Sequence, residues 1–149
     1  MANLKIPFLT DIGTAYDDRG FLEFFNDFHK YNIKRFYIIN NNQTNFIRAW
    51  HAHKKESKIF YCIEGFVQVS AVKIKNFDNP NKKSKVHNFF LSEKKPKLLY
   101  IPSGYANGIK FFSNNERVIV FSSSILKDSL NDDYRFDFDF WNPWESNFR

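Results

Sequence analysis

The sequence predicts an all-β protein, built as a sandwich or a barrel, and three observations support this prediction. Short segments alternate apolar and polar residues with a period of two, which is typical of half-buried strands. Turn-forming residues separate these segments at intervals of about 8–12 residues, as in all-β sandwiches and barrels. Aromatic residues make up 19% of the chain and include 19 phenylalanines, and aromatic rings pack well on a pleated sheet.

The individual strands follow from the alternation, taken in chain order. Nine segments show it: 20–25, 33–39, 46–52, 58–64, 66–74, 86–91, 97–102, 109–113 and 116–124. A tenth alternation runs through the tail at 133–144, residues 24–32 have the pattern of a short helix, and 103–108 has the composition of a turn. Gly65 between two apolar runs and the Pro-x-Gly turn at 102–104 favour a jelly-roll barrel, whose mouth is the natural place for a ligand.

Length and composition indicate one soluble domain over residues 1–149. The single cysteine, Cys62, cannot form an internal disulfide, and its apolar surroundings predict a buried, inert thiol. No apolar segment approaches the ~20 residues of a membrane helix, and the N-terminus shows no signal-peptide pattern, so we expect a cytoplasmic protein with no membrane partner. The net charge of +6 lies mostly on loop lysines without a nucleic-acid motif, which favours an anionic small substrate over nucleic acid.

The His-Ala-His motif is the segment that points most directly to chemistry. His51 and His53 are two residues apart on a predicted strand, so their side chains share one face, opposite to Trp50 and Ala52. An inward-facing pair of functional imidazoles is one interpretation, and a pair of core histidines is the other. Arg48 has the wrong phase to share the histidine face unless a β-bulge intervenes.

Two kinds of chemistry fit this histidine pair. His-x-His on a strand with a later carboxylate, here Glu56, is one way to assemble a metal site. The third imidazole of such a site would fall at Asn107, and asparagine is a poor transition-metal ligand, so we expect no metal and no other cofactor. In the acid–base interpretation a neutral imidazole removes a proton, while Arg19, Arg48 and Lys58 are candidates to stabilise an oxyanion or bind phosphate.

Five segments, in the right order, resemble the RmlC-like cupins. These are the dTDP-4-dehydrorhamnose 3,5-epimerases and the related sugar-nucleotide 3,4-ketoisomerases. The segments span Asp17 to Trp144 and read DDRGFLEFF, IRAWHAHK, SKIFYCIEGFVQV, LYIPSGYANGI and DYRFDFDFWNPW. The resemblance implies a jelly-roll barrel, a homodimer that exchanges strands, no metal, and a nucleotide-linked 4-keto-6-deoxyhexose substrate made for a cell-surface polysaccharide.

The resemblance also implies roles for single residues. His51 matches the base that removes the proton next to the keto group, and Lys58 matches the lysine that stabilises the enolate oxygen. Arg19 and Arg48 match arginines that hold the diphosphate, a role that suits a bidentate guanidinium. Whether His53 is catalytic or packs in the core stays open.

The sequence departs from the epimerase pattern at three points. The segment VIVFSSSILKD lacks the tyrosine acid that the family carries there, Asn107 stands in place of a family histidine, and no base-orienting aspartate follows the tryptophan tail. Tyr16, Tyr37 and Tyr105 are the candidates for the missing acid. Tyr105 and Asn107, in the segment PSGYANG, are expected to contact the substrate.

Three functions therefore stay open at this point. Lys58 and the PSGYANG segment favour epimerisation at one carbon or two, which we prefer. The HAHK motif and the strand that carries Tyr37 favour 3,4-ketoisomerisation instead. The departures from the epimerase pattern leave a third alternative, a cupin that binds a sugar nucleotide without turning it over.

Overall fold

The computed structural model describes residues 4–145 of the chain. A 3₁₀ helix at Phe28–Tyr31 and one short α-helix, α1 at Leu126–Leu130, accompany the strands. The twelve strands are β1 Phe8–Asp11, β2 Gly13–Asp17, β3 Gly20–Phe24, β4 Arg35–Asn40, β5 Ile47–Ala52, β6 Lys58–Glu64, β7 Phe66–Lys73, β8 Val86–Ser92, β9 Lys97–Ile101, β10 Tyr105–Phe111, β11 Arg117–Ser122 and β12 Tyr134–Arg135.

The strands form two five-stranded antiparallel sheets and a separate hairpin. The first sheet has the order β1-β9-β6-β11-β4, the second has the order β12-β5-β10-β7-β8, and β2 pairs with β3. The inner faces of the two sheets enclose a core that includes Phe60, Leu99 and Phe111. Cys62 belongs to this core, so the prediction that it is buried is confirmed, and this burial raises the pKa of the thiol to about 12. The two antiparallel sheets confirm the all-β barrel that the sequence predicts.

Alternation identified most of the barrel strands, including β4 to β9 and β11, to within a few residues. Two strands at the start, β1 and β2, were not predicted, and the expected helix at 24–32 is a single 3₁₀ turn. Gly65 forms the tight connection between β6 and β7 with a φ of +84°, where a Cβ atom would lie 2.8 Å from Cγ of Glu116. Only glycine adopts this conformation in that space without strain.

The predicted turn at 103–108 was wrong over most of its length. After Gly104, whose φ is +81°, the chain enters β10 at Tyr105 and pairs with both β5 and β7. Gly108 in this strand is required by packing, since a Cβ atom there would lie 2.6 Å from Cβ of Ala49 and 3.0 Å from the ring of Trp144. The segment 103–108 therefore has a turn-like composition partly because tertiary packing requires a glycine at position 108 inside a strand.

The alternating tail is also mostly not a strand. Only Tyr134–Arg135 pairs with β5, and backbone hydrogen bonds in both directions between Trp50 and Phe136 extend this contact by one step. Beyond it the tail lays its rings on the outer face of the second sheet. There Trp141 and Trp144 both pack against Trp50, with ring centroids 5.4 and 5.1 Å from that of Trp50. The indole of Trp50 donates to the carbonyls of Phe138 and Trp141.

The outer face of the first sheet is covered in part by the N-terminal segment and the 3₁₀ region. The β2–β3 hairpin projects from this side, and all five residues of β3 are exposed. Tyr16, Phe21 and Leu22 on the hairpin are 63–78% exposed, and Phe36 on the edge strand β4 is 61% exposed. In a single chain this is an uncovered apolar surface.

Candidate active site

Polar side chains gather inside one mouth of the barrel. On the first sheet, Arg35, Ser122 and Lys58 are aligned on neighbouring strands β4, β11 and β6. On the second sheet, His51 lies directly opposite Asn107 on β10. These rows begin where the apolar core ends, so polar side chains line this mouth above a hydrophobic floor.

A β-bulge places Arg48 in phase with His51. On β10, Asn107 and Ile109 are two residues apart and share a face, and they pair with His51 and Arg48, which are three residues apart on β5. One extra residue is therefore accommodated in β5. The expectation that Trp50 and Ala52 take the opposite face holds, because both are buried beneath the tail.

His51 is held in its neutral form. Burial lowers the pKa of its imidazole to about 4, and the positive charges of Lys58, Arg135 and Arg48 act in the same direction, while Asp133 opposes them. An imidazole with this pKa has a free nitrogen lone pair at neutral pH, as a proton-abstracting base requires.

His53 has a defined tautomer. Its Nδ1 atom donates to the backbone carbonyl of Asp132 at 2.5 Å, and a carbonyl can only accept, so Nδ1 carries the proton and Nε2 is the acceptor. Burial, and after it the charge of Lys58, lowers the pKa of His53 as well. The carboxylate of Asp132 also accepts from the backbone N–H groups of Lys54 and Lys55 at 2.9 and 2.8 Å, which fixes the turn after β5.

Lys58 lies with a buried carboxylate and a guanidinium on the first sheet. Its Nζ atom is 3.9 Å from Oε1 of Glu56, and Nη2 of Arg35 is 3.5 Å from the same oxygen. Arg35 is fixed in turn by donating to the carbonyl of Ser124 and the hydroxyl of Ser129, both at 3.0 Å. Burial lowers the pKa of Lys58, and the negative charge of Glu56 raises it.

Tyr37 faces the inside of the barrel two residues after Arg35 on β4. Its ring packs on the core, and the guanidinium carbon of Arg35 is 5.2 Å from the ring centroid. Burial raises the pKa of Tyr37 to about 12, with Glu56 acting in the same direction and Arg35 and Arg48 opposing it. The hydroxyl is therefore protonated at neutral pH and can donate a hydrogen bond or a proton.

The PSGYANG segment contributes two side chains to the same mouth. Tyr105 and Asn107 both face inward from β10, and both are more than 90% buried. Burial raises the pKa of Tyr105. The backbone of this segment is tied to the histidine strand because the N–H of Gly104 donates to the carbonyl of His53 at 2.8 Å.

Arg19 is placed differently from the other expected site residues. It lies at the tip of the β2–β3 hairpin, its side chain is 85% exposed, and its ion pair is with Asp17 two residues earlier. Within residues 4–145, every hydrogen bond found for Arg19 goes to Asp17. A single chain therefore does not bring Arg19 to the barrel mouth.

Several residues of the mouth were not predicted from the sequence. Arg35 alternates with Tyr37 on the same strand, and this signal could have identified it. Glu56 was considered only as a metal ligand. Asp132 acts on His53 through its backbone carbonyl, a contact that no side-chain pattern reveals.

Two further findings concern the described part of the chain. Residues 4–145 contain no group of three or more His, Cys, Asp or Glu side chains placed to hold a metal ion. None of the helices in that range is long and apolar enough to cross a membrane.

The two sheets form a barrel of the RmlC-like cupin type. Imidazole, amine, phenol and guanidinium groups lie together at one mouth of this barrel. The family model described as "WxcM-like, C-terminal" (FdtA) matches residues 3–143, and the chain belongs to this family. A search of curated protein sequences gives no match.

Solved structures share the fold of the chain. dTDP-4-dehydrorhamnose 3,5-epimerase from Bacillus anthracis str. Ames, with TDP and PPi bound, has a TM-score of 0.79 and 17% identity, over 99% of this chain and 90% of that chain. The TDP-quinovose 3,4-ketoisomerase WlaRB from Campylobacter jejuni has a TM-score of 0.71 and 22% identity, over 91% and 97%. A variant of the 3,4-ketoisomerase QdtA from Thermoanaerobacterium thermosaccharolyticum, in complex with TDP-4-keto-6-deoxyglucose, has a TM-score of 0.69 and 21% identity, over 93% and 92%.

Proposed function

We propose that the protein is a sugar-nucleotide isomerase that moves the ketone of a TDP-linked 4-keto-6-deoxyhexose between C4 and C3. The observation that carries this proposal is the pair of imidazoles, His51 and His53, both with a lowered pKa, at the mouth that also contains Lys58. The substrate class is supported by the neighbours, which are named as TDP-sugar ketoisomerases or epimerases and include complexes with TDP and with TDP-4-keto-6-deoxyglucose.

The first chemical step assigned to the site is proton abstraction. His51 takes the proton from C3, the electrons of the C3–H bond form a C3=C4 double bond, and the negative charge moves to O4. The ammonium group of Lys58 stabilises this charge. The hydroxyl of Tyr37 serves as a further hydrogen-bond donor.

The second step completes the transfer of the ketone. Nε2 of His53 takes the proton from O3 and delivers it to O4, which the tautomer of His53 permits because Nδ1 already holds a proton. C4 regains a proton from His51 as the O3–C3 carbonyl forms. Substrate and product differ only in the positions of two hydrogens, so no cofactor enters the balance.

Epimerisation next to the ketone is the second candidate, and Lys58 favours it because the resemblance places the enolate-stabilising lysine of the epimerases there. Inversion at a carbon needs a donor on the opposite face of the sugar. The inward positions of β11 are Val118, Val120 and Ser122. The two valines lie in the core and carry no transferable proton, and the hydroxyl of Ser122 is engaged in donating to Glu56 at 2.8 Å. For this reason we now place ketoisomerisation ahead of the epimerisation that the sequence favoured.

NMR of a TDP-4-keto-6-deoxyglucose incubation in deuterated water tests the proposal. We expect the ¹³C signal of the carbonyl to move from C4 to C3, and we expect no such change with His51→Gln. His29→Gln, a change at an exposed histidine of the 3₁₀ helix, is the matched control that keeps full activity. A ketone that stays at C4 while C3 or C5 gains deuterium would establish the epimerase instead. An unchanged spectrum with TDP binding retained would point to a binding protein.

We further propose that the protein acts as a homodimer in which Arg19 of the partner subunit reaches the diphosphate at the mouth. This assembly would cover the exposed apolar residues of the hairpin and give Arg19 the role that a single chain does not allow. Isologous pairing of two copies is the commonest way to cover such a surface.

Mixing two inactive variants tests this arrangement. His51→Gln and Arg19→Ala each damage every site of their own homodimer. Random exchange makes half of the dimers mixed, and each mixed dimer has one site with both residues intact, so activity returns to about a quarter of the wild-type value. Mixed dimers without recovered activity would show that Arg19 does not act in the site of the partner subunit, and an Arg19→Ala homodimer with full activity would place Arg19 outside the site.

A further inference from the structure

Glu56 is an under-bonded carboxylate at the centre of the mouth. It lies in the turn between β5 and β6, and its side chain is completely buried. Oε1 accepts a hydrogen bond from the hydroxyl of Ser122 at 2.8 Å and a long one from Nη2 of Arg35 at 3.5 Å. Oε2 is 3.5 Å from Nδ1 of His53 and accepts no hydrogen bond from any described residue.

A second buried glutamate shows what a carboxylate with a purely structural role looks like here. Glu116, at the opposite end of the barrel, accepts from the backbone N–H groups of Phe112 and Ser113 at 2.8 and 2.5 Å and from the amide of Asn41 at 3.0 Å. These bonds hold a loop together and compensate the loss of hydration. Glu56 has no comparable set of donors, so local hydrogen bonding does not explain why a charge is buried there.

The groups around Glu56 suggest another reason for its burial. Arg35 approaches Oε1 from β4, Lys58 approaches it from β6, and His53 approaches Oε2 from the end of β5. Replacing a whole buried ion pair by well-packed apolar side chains is often neutral or stabilising, so packing alone does not require a charged group at this position.

We propose that Glu56 is a positioning residue that keeps the amine of Lys58 charged and holds it at the mouth. The proposal rests on the function proposed above, in which Lys58 stabilises the enolate oxygen. Glu56 acts through Lys58 and does not itself contact the substrate.

The electrostatic surroundings of Lys58 support this role. Burial lowers the pKa of Lys58 first, and Arg35 adds to the effect. Glu56 is the main group that opposes this shift, followed by the more exposed Asp133. Without Glu56 the ammonium would face a guanidinium in a water-poor site and release its proton at a lower pH. The charged and titratable groups that face Lys58 are Glu56, Arg35, Asp133, His51 and His53.

Glu56→Gln separates charge from shape. The amide keeps the volume and still accepts from Ser122, but it removes the negative charge beside Lys58. The ¹³Cε signal of Lys58, assigned by its loss in Lys58→Arg, is titrated in both proteins. We expect the midpoint to fall by at least about one pH unit in Glu56→Gln, which corresponds to about 1.4 kcal/mol. Glu116→Gln is the matched control: it removes another buried carboxylate and leaves the Lys58 midpoint unchanged.

The rate profile tests whether catalysis uses this charge. In Glu56→Gln we expect kcat at pH 8 to fall by about 10- to 100-fold with little change in KM, and the alkaline limb of kcat to move to lower pH together with the Lys58 midpoint. Glu56→Asp keeps the charge and is expected to restore part of the rate. This variant also replaces Glu56→Gln if the latter does not fold, with a smaller shift of the Lys58 midpoint in the same direction.

The outcomes separate this inference from the proposed function. An unchanged Lys58 midpoint in Glu56→Gln overturns the inference, whatever the enzyme does. A shifted midpoint with an unchanged rate profile in an active enzyme overturns the positioning role and leaves the isomerase intact. If the wild type turns over no sugar nucleotide, the proposed function fails, and the Lys58 titration alone decides whether Glu56 holds its charge.

Discussion

Arg48 and His51 face the same side of β5 although three residues separate them, because the strand accommodates one extra residue between their pairing positions on β10. A regular strand would have sent the guanidinium to the face covered by the tail. The bulge therefore places a permanent positive charge beside the candidate base, within reach of an anionic substrate.

Arg48→Lys is expected to weaken substrate binding more than turnover. Lysine keeps the charge but loses the forked geometry that suits a diphosphate. We expect KM to rise by about 10- to 100-fold, the equivalent of one charge-assisted hydrogen bond, with kcat changed much less. Steady-state kinetics measure this split. Arg117→Lys, an exposed arginine at the other end of the barrel that donates to Asn40, is the control and is expected to behave as wild type. A fall in kcat alone would contradict a role in binding the diphosphate.

Tyr37→Phe is expected to lower kcat while preserving the fold, since the ring remains in the core and only the hydroxyl is lost. We expect a decrease of about 10- to 100-fold if the hydroxyl donates to the developing oxyanion. Tyr61→Phe is the control, because Tyr61 lies on the outer face of the first sheet and donates to Glu23. Equal kinetics for both variants would remove Tyr37 from the list of functional residues.

Acid is expected to destabilise the protein through its buried histidines. The folded-state pKa of His51 is lowered to about 4, against 6.5 for a histidine in the unfolded chain, and the pKa of His53 is also lowered. Between about pH 4 and 6.5 the unfolded chain therefore binds more protons than the folded chain, and the free energy of unfolding rises with pH. Urea denaturation across this range measures the slope.

The same slope distinguishes the histidines from one another. His51→Gln is expected to make it shallower, by up to about 1.4 kcal/mol per pH unit for one proton. His29→Gln changes only an exposed histidine and is expected to leave it as in the wild type. A slope that responds equally to both changes would mean that burial does not hold His51 neutral.

Gly108→Ala is expected to destabilise the protein by about 1–3 kcal/mol through overpacking. The new methyl group would meet Cβ of Ala49 at 2.6 Å and the Trp144 ring at 3.0 Å. Ala49→Gly in the same chain removes the closer contact, so the double variant is expected to lose less stability than the sum of the single changes. Additive losses in urea denaturation would show that the two sites do not touch.

The barrel could be predicted because apolar and polar residues alternate along its strands. The mouth could be predicted where this alternation placed two ionisable side chains on one face, as for His51 and His53. The same rule left the direction of Arg48 open, since a bulge changes the phase of a strand and leaves no mark in the sequence. It failed for Tyr105 to Gly108, because glycine serves there to let Trp144 approach. Asp132 could not be found at all, since its contact with His53 uses the backbone carbonyl that every residue has.

The tryptophan cluster on the outer face of the second sheet offers a built-in spectroscopic probe. All three tryptophans of the chain, Trp50, Trp141 and Trp144, belong to it, and they lie on the side of β5 that faces away from the candidate base. Intrinsic fluorescence excited at the indole band therefore reports whether the tail is attached to the sheet. A ligand that enters the barrel mouth contacts histidine, lysine and tyrosine side chains, so its binding is monitored through the signals of those residues. Tail detachment and ligand binding can therefore be observed independently in one sample.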